Sequence, residues 1–194
     1  MMPVDKTTKL NSAGGPLFRR PDRTHEEFTT AWHRHGRLAL PWALKFGVWE
    51  YSQIHMPSPG LQEASASATT PTSTGDDTVE ARAKRILLQA DGVAIMRRYD
   101  VPLEAGHRYF SSVILKDERT FLHDEAGAGA VRGEPPVYDV PDLHVDVWRD
   151  LALSMGGVEY VKIRDGEDVM GNAMWEEWER VESEREKEKE AASR

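Results

Sequence analysis

Apolar positions near the start of the chain recur at helical spacing. Thr24 and Glu27 match a capping box, in which the threonine hydroxyl accepts from the Glu27 amide while the glutamate reaches back. The apolar stripe behind it predicts a helix, which Pro41 is expected to end. The stripe contains Phe28, Ala31, Trp32, Leu38 and Ala39.

Strand and helix patterns alternate through the rest of the chain. Residues 46–56 are rich in β-branched and aromatic side chains and predict a strand, as do residues 91–96 and, less regularly, 158–163. Helical spacing predicts helices at 79–89 and 107–122. One face of the later helix is apolar: Phe110, Val113, Ile114 and Phe121. The alternation predicts an α+β sandwich, with the helices on one face of an antiparallel sheet.

Three polar segments flank or interrupt this pattern. Residues 1–15 end in two glycines and predict a flexible leader. Residues 57–78 are mostly Pro, Ser, Thr, Ala and Gly, which predicts a flexible insertion inside one domain at 16–170. In residues 171–194, opposite charges three positions apart favour a solvated helix, with a partner-binding helix as the alternative.

Composition excludes several classes of function. The chain of 194 residues has no cysteine, so thiol nucleophiles, disulfides and cysteine-ligated metals are excluded. A net charge of −8 argues against nucleic-acid binding. The apolar runs are too short for a membrane span and the N-terminus lacks the apolar core of a signal peptide, so we expect a soluble cytoplasmic protein. Dinucleotide, phosphate-loop and serine-nucleophile motifs are missing.

His35 is the first candidate for chemistry. At about 100° per residue it points within about 20° of Phe28, toward the apolar side of the predicted helix. It is therefore a buried histidine or one that lines a cleft. The simple alternative is a core histidine whose hydrogen bonds are made within the protein. His33 points away from His35, so the two cannot chelate one metal from a regular helix.

The first predicted strand carries a row of donors on one face. Period two places Trp49, Tyr51, Gln53 and His55 together. Buried polar groups need partners, so such a row is typical of a pocket wall that binds a planar substrate and orients its oxygens. A solvent-exposed face with incidental polarity is the alternative.

Other charged groups carry weaker signals. Asp91 before Gly92 is most simply a turn, and Asp117-Glu118 a solvated acidic pair. Asp142, His144 and Asp146 would share one face if their segment were extended, and could then bind a metal. No further metal ligand lies at the spacing of a known motif.

An ordered series of short motifs resembles the EthD domain. The motifs are Arg19-Arg20-Pro21, Thr24-x-x-Glu27-Phe28, Trp32-x-x-His35-Gly36, Tyr51-x-Gln53-x-His55, Ala90-Asp91-Gly92 and Asp117-Glu118-x-x-Phe121. The family's first strand is reduced here to residues 16–18 behind a Gly-Gly loop, and the insertion and tail are extra.

The resemblance implies a ferredoxin-like domain that dimerises into an α+β barrel with a cofactor-free pocket between helix and sheet. The chain looks most similar to fungal members that dehydrate or decarboxylate anthraquinone-type polyketide carboxylic acids. The implied partners are a small aromatic substrate and a second copy of the chain. No metal, flavin or nicotinamide is implied.

In that chemistry an enolate forms, which needs an acid or base and donors for the developing oxyanion. The resemblance implies His35 as acid or base, with Tyr51 and His55 holding substrate oxygens. Gln53 supplies a donor. Aromatic side chains bind the rings: Trp32, Trp49 and Phe28.

Three alternatives belong to other classes. A non-catalytic dimeric module carries an aromatic ligand or serves as an accessory subunit. A cofactor-free oxygenase acts on anthrones. A protein-interaction role uses the charged tail, residues 175–194.

Overall fold

The computed structural model describes residues 10–58, 78–99, 107–122 and 142–192. The strands are β1 (Leu10–Leu17), β2 (Val48–His55), β3 (Gly92–Tyr99), β4 (Val158–Arg164) and β5 (Glu167–Asp168). The helices are α1 (His25–Lys45), α2 (Val79–Leu87), α3 (His107–Tyr109, continued by a π-helical turn at Phe110–Ile114 and an α-helical segment at Leu115–Phe121), α4 (Val145–Ser154) and α5 (Trp175–Ala192).

The strands form one antiparallel sheet in the order β1-β3-β2-β4-β5. Gln53 lies opposite Ala94 of β3 and Tyr160 of β4, so the polar row of β2 occupies the middle of the sheet. The predicted α+β class with an antiparallel sheet is confirmed, and the architecture is consistent with a ferredoxin-like fold.

Helices cover both faces of the sheet rather than the single face expected. On the first face, α1, α3 and α5 pack against Tyr51 of β2. On the second face, α2 and α4 cover Ile54, Val93 and Ile95, with Trp148 of α4 almost fully buried. The reason is that alternating strand residues are apolar on this face too, and leaving them in water would cost free energy.

Residues 142–146 are not one extended segment, because helix α4 begins at Val145. His144 is its N-cap and accepts from the amide of Asp146 at 3.4 Å, so alternate residues no longer share one face. Across the described residues, no group of three or more His, Asp or Glu side chains is arranged to hold a metal ion.

Helix α1 begins at the predicted capping box and continues beyond its predicted end. Thr24 accepts from the Glu27 amide at 3.2 Å, and Glu27 accepts from the Thr24 amide at 2.8 Å. Pro41 lies inside the helix and cannot donate to the carbonyl of Arg37. The amide of Met174 donates to that carbonyl instead, at 3.1 Å, which satisfies the acceptor and permits another turn.

Strand β1 extends back to Leu10, into the segment expected to be a loose leader. It pairs with β3 along its whole length. Gly14 permits this register, because a Cβ at its position would overlap the carbonyl of Ala94. Residues 1–9, and residues 59–77 of the predicted insertion, lie outside the described residues.

The charged tail forms the predicted helix, and Glu182 pairs with Arg185 at 2.7 Å as its spacing indicates. The helix is not solvated on all sides. Val181 is 3% exposed, and Trp178 packs beside Tyr109 with ring centroids 4.9 Å apart. No described helix is both long and apolar enough to cross a membrane.

Candidate functional site

His35 lies between α1 and α3 and is held by two carboxylates. Its Nδ1 is 2.9 Å from Asp117 Oδ2, and its Nε2 is 3.4 Å from Glu118 Oε1. The imidazole is 4% exposed and lies 5.3 Å from the ring of Phe121. The acidic pair expected to be solvated is therefore the partner of the buried histidine.

The two carboxylates decide the charge of His35. Burial lowers the pKa of the imidazole, but the hydrogen bonds and negative charges of Asp117 and Glu118 outweigh burial and raise its pKa above 6.5. His35 therefore holds a proton at neutral pH more firmly than a histidine in water. This favours the role of acid over that of base.

Tyr51 and Gln53 lie directly beneath α1. The Gln53 amide donates to the carbonyl of Trp32 at 2.7 Å and to the phenol oxygen of Tyr51 at 3.0 Å. Gly36 makes this approach possible, because a Cβ there would stand 2.8 Å from Gln53 Nε2. Burial, ahead of the charge of Glu118, raises the pKa of Tyr51, so its phenol stays neutral. Gln53 Oε1 is buried and has no hydrogen-bond partner within the described ranges.

Trp49 does not continue this row. A β-bulge between Val48 and Glu50 adds one residue to β2, which breaks the alternation. Val48 and Tyr51 consequently pack in the same cluster, while the ring of Trp49 contacts Tyr99 at 5.7 Å. The aromatic wall predicted at Trp49 is therefore separated from Tyr51 by the bulge.

Phe28 and Trp32 are buried between α1, α3 and the sheet, with 0% and 2% exposure. The Phe28 ring lies 5.5 Å from Trp32 and 5.9 Å from Phe121. Trp32 also stacks on His55, with centroids 4.6 Å apart. Phe28 and Trp32, both predicted to bind a ligand, thus form an aromatic layer. It extends from Phe121, which contacts His35, to His55.

His55 has a different environment from His35. It is 6% exposed, its ring stands edge-on to Tyr160 at 4.9 Å, and neither ring nitrogen has a hydrogen-bond partner among the described residues. Burial, followed by the nearby charges of His33 and Lys162, lowers its pKa to about 4. His55 is accordingly a neutral imidazole at physiological pH.

Lys162 is a functional candidate that sequence reasoning missed. It has no exposed surface, and its Nζ lies 3.1 Å from Nδ1 of His33. Burial, aided by the charge of Arg37, lowers the pKa of this lysine to about 8. The signal available in the sequence is a lone lysine within the apolar strand segment 158–163.

Asp91 is more than a turn residue. It is 2% exposed, and its carboxylate binds the guanidinium and the amide of Arg19 and lies 3.1 Å from Nδ1 of His25. This ion group ties the end of β1 and the start of α1 to the beginning of β3.

The polar side chains between α1 and the sheet thus fall into two groups. The first group is His35 with its carboxylates and the neighbouring Tyr51 and Gln53. The second is His55 with His33 and Lys162. Trp32 lies between them, since it contacts both Gln53 and His55. His35 turns toward α3 and His55 toward β4, so their rings have different partners.

Comparison with known proteins gives a family match. The family model for the EthD domain matches residues 20–125, more than half of the chain. The match includes α1, β2, β3 and α3, and therefore both candidate histidines. Lys162 lies outside it. No curated protein and no solved structure matches the chain.

Proposed function

This chain belongs to the EthD domain family, and on that premise we propose that it is a cofactor-independent lyase acting on an aromatic polyketide carboxylic acid. The reaction is loss of carbon dioxide or of water. The observation that carries the proposal is His35, a buried imidazole whose two ring nitrogens face the carboxylates of Asp117 and Glu118 and whose pKa these carboxylates raise.

Both reactions need a proton donor. In decarboxylation the bond to the carboxylate carbon breaks, its electron pair forms an enolate, and a proton then adds to carbon. In dehydration a base removes a proton from the carbon next to the carbonyl to form an enolate, and the hydroxyl on the adjacent carbon then takes a proton and leaves as water while the new double bond forms. His35 Nε2–H is suited to either step, because its contact with Glu118 is long at 3.4 Å and Glu118 is 30% exposed. A substrate that displaces Glu118 meets that proton.

Tyr51 and Gln53 support the same chemistry. Gln53 Nε2 donates both of its hydrogens, one to the carbonyl of Trp32 and one to the phenol oxygen of Tyr51. The phenolic proton of Tyr51 has no acceptor among the described residues. A neutral phenol in a buried site is an effective donor to a developing oxyanion. Tyr51 is therefore assigned to the enolate oxygen.

The homodimer implied by the family stays a prediction. Helices α2 and α4 cover the second sheet face, so a second copy of the chain would meet these helices there rather than the strands. Light scattering of the purified protein measures the oligomeric state.

The test is incubation of the protein with a panel of polyketide carboxylic acids, followed by mass spectrometry. Loss of carbon dioxide or water supports the proposal. Gain of oxygen identifies an oxygenase instead. Ligand binding without turnover identifies a carrier module and refutes the lyase.

Two variants test the role of His35. His35→Gln keeps a polar side chain but carries no transferable proton, so we expect kcat to fall by about 100-fold or more. Lys116→Gln is the matched control, because Lys116 is exposed one residue before Asp117 on the same helix. Unchanged kcat in His35→Gln removes His35 from the reaction.

A further inference from the structure

The second group contains a buried positive charge without an ion-pair partner among the described residues. Lys162 is completely buried, and within residues 10–58, 78–99, 107–122 and 142–192 its Nζ has one hydrogen-bond partner, Nδ1 of His33 at 3.1 Å. Among the described residues no carboxylate forms an ion pair with it. An ammonium buried without a counter-ion is costly, and such groups are typical of functional sites.

His55 is a second, independent sign of a ligand. It is 6% exposed, and neither ring nitrogen has a hydrogen-bond partner in the part of the chain that the structure describes. A buried imidazole without hydrogen bonds loses the favourable interactions it makes in water. A polar ligand seated beside it would supply them.

The charges around Lys162 also favour an anion. Burial lowers the pKa of both Lys162 and His33, and the positive charge of Arg37 on α1 lowers both further. Asp168 of β5 is the acidic side chain that acts on Lys162, but its oxygens accept from the amides of residues 170, 171 and 173. The group therefore remains positive in a chain whose net charge is −8.

We propose that Lys162, His33 and His55 form a binding site for the carboxylate of an aromatic acid. Lys162 pairs with the carboxylate, the two imidazoles donate to its oxygens, and the ring packs on Tyr160. The entry is at Tyr160, which is 40% exposed and contacts both His33 and His55 edge-on. The inference rests on the proposed function only for the chemical class of the ligand, and binding there does not require turnover.

The pH dependence follows from the groups that face the ammonium. These are His33 and Arg37 on α1, His55 on β2, Tyr160 beside it on β4, and Asp168 on β5. With a pKa of about 8, Lys162 is charged at neutral pH and loses its charge above that value. Affinity for a carboxylate should therefore fall as the pH rises through about 8, while affinity for a neutral analogue should not.

The experiment compares 2-naphthoate with its neutral analogue 2-naphthamide by isothermal titration calorimetry. We expect the unmodified protein to bind the acid at least about tenfold more tightly at neutral pH, a preference typical of a charge-assisted hydrogen bond. Lys162→Met should abolish the preference and retain binding of the amide, which shows that the aromatic part of the site is intact. Lys116→Met, the same change at an exposed position, should retain the preference.

Three results overturn the proposal: equal affinity for acid and amide, no binding of either, or an unchanged preference in Lys162→Met. If that variant does not fold, the unmodified protein still decides, because a preference that stays constant through pH 8 excludes Lys162. The two proposals fail separately. Carboxylate preference without turnover refutes the lyase alone, and turnover dependent on His35 without carboxylate preference refutes this site alone.

Discussion

Replacement of Lys162 by methionine should stabilise the protein in a pH-dependent way. The pKa of Lys162 is about 8 in the fold, against 10.5 for a lysine in water. Since one pKa step corresponds to about 1.4 kcal/mol, the cost of burying the charge is about 3 kcal/mol. Methionine has a similar length and carries no charge, so it avoids that cost.

The sign follows from proton binding. Between pH 8 and 10.5 the unfolded chain holds a proton on Lys162 that the folded chain has released, so the stability of the unmodified protein rises through this range. The advantage of Lys162→Met should thus be full below pH 8 and should shrink by about 3 kcal/mol by pH 10.5. Urea unfolding of both proteins across this range measures the difference, in which the titration of all other groups cancels.

A constant difference across the whole pH range would refute the reasoning, because it would show that Lys162 does not change its charge there. So would a variant that is less stable than the unmodified protein at neutral pH, which would indicate a counter-ion for the ammonium. Lys116→Met should change the free energy of unfolding by no more than about 0.5 kcal/mol at any pH, as expected for an exposed position.

Three further predictions concern the same layer. Asp91→Asn should cost about 3 kcal/mol in urea unfolding, the low end for a broken buried ion pair, because Arg19 is 30% exposed. Gly92→Ala should cost about 1 to 3 kcal/mol and change tryptophan fluorescence, because the new Cβ would overlap the ring of Trp32. His35→Gln should be more destabilising in acid than in alkali. The raised pKa of His35 stabilises the unmodified protein fully below pH 6.5, and this contribution is lost as the pH rises through the pKa of the folded state. Urea unfolding at several pH values measures the difference.

Each of these has an outcome that contradicts it. An unchanged midpoint in Asp91→Asn would mean that the ion group contributes nothing, and unaltered fluorescence in Gly92→Ala would mean that Trp32 does not lie over β3. For His35→Gln, a stability loss equal at acid and alkaline pH would show that the imidazole is not held protonated.

Local sequence determined most of the helices and strands. The capping box at Thr24 and Glu27 and the spacing behind it predict the start of α1 correctly, because both depend on residues within a few positions of each other. The local pattern of residues 46–56 likewise predicts the strand that the structure has at Val48–His55. The predicted alternation of side chains fails at Trp49 because the bulge adds one residue to β2. Nothing in the local sequence indicates this bulge.

Tertiary structure decided where these helices and strands end and which partners their polar side chains contact. Helix α1 passes Pro41 because Met174, far along the chain, supplies the missing donor. His35 meets the carboxylate of Asp117, and Lys162 meets His33 across 129 positions of sequence. Such pairings depend on strand order and on which helix covers which face, and periodicity carries no information about either. The sequence therefore specified a buried histidine and a polar strand, and the packing of α3 and β4 against α1 determined the charge and partners of each.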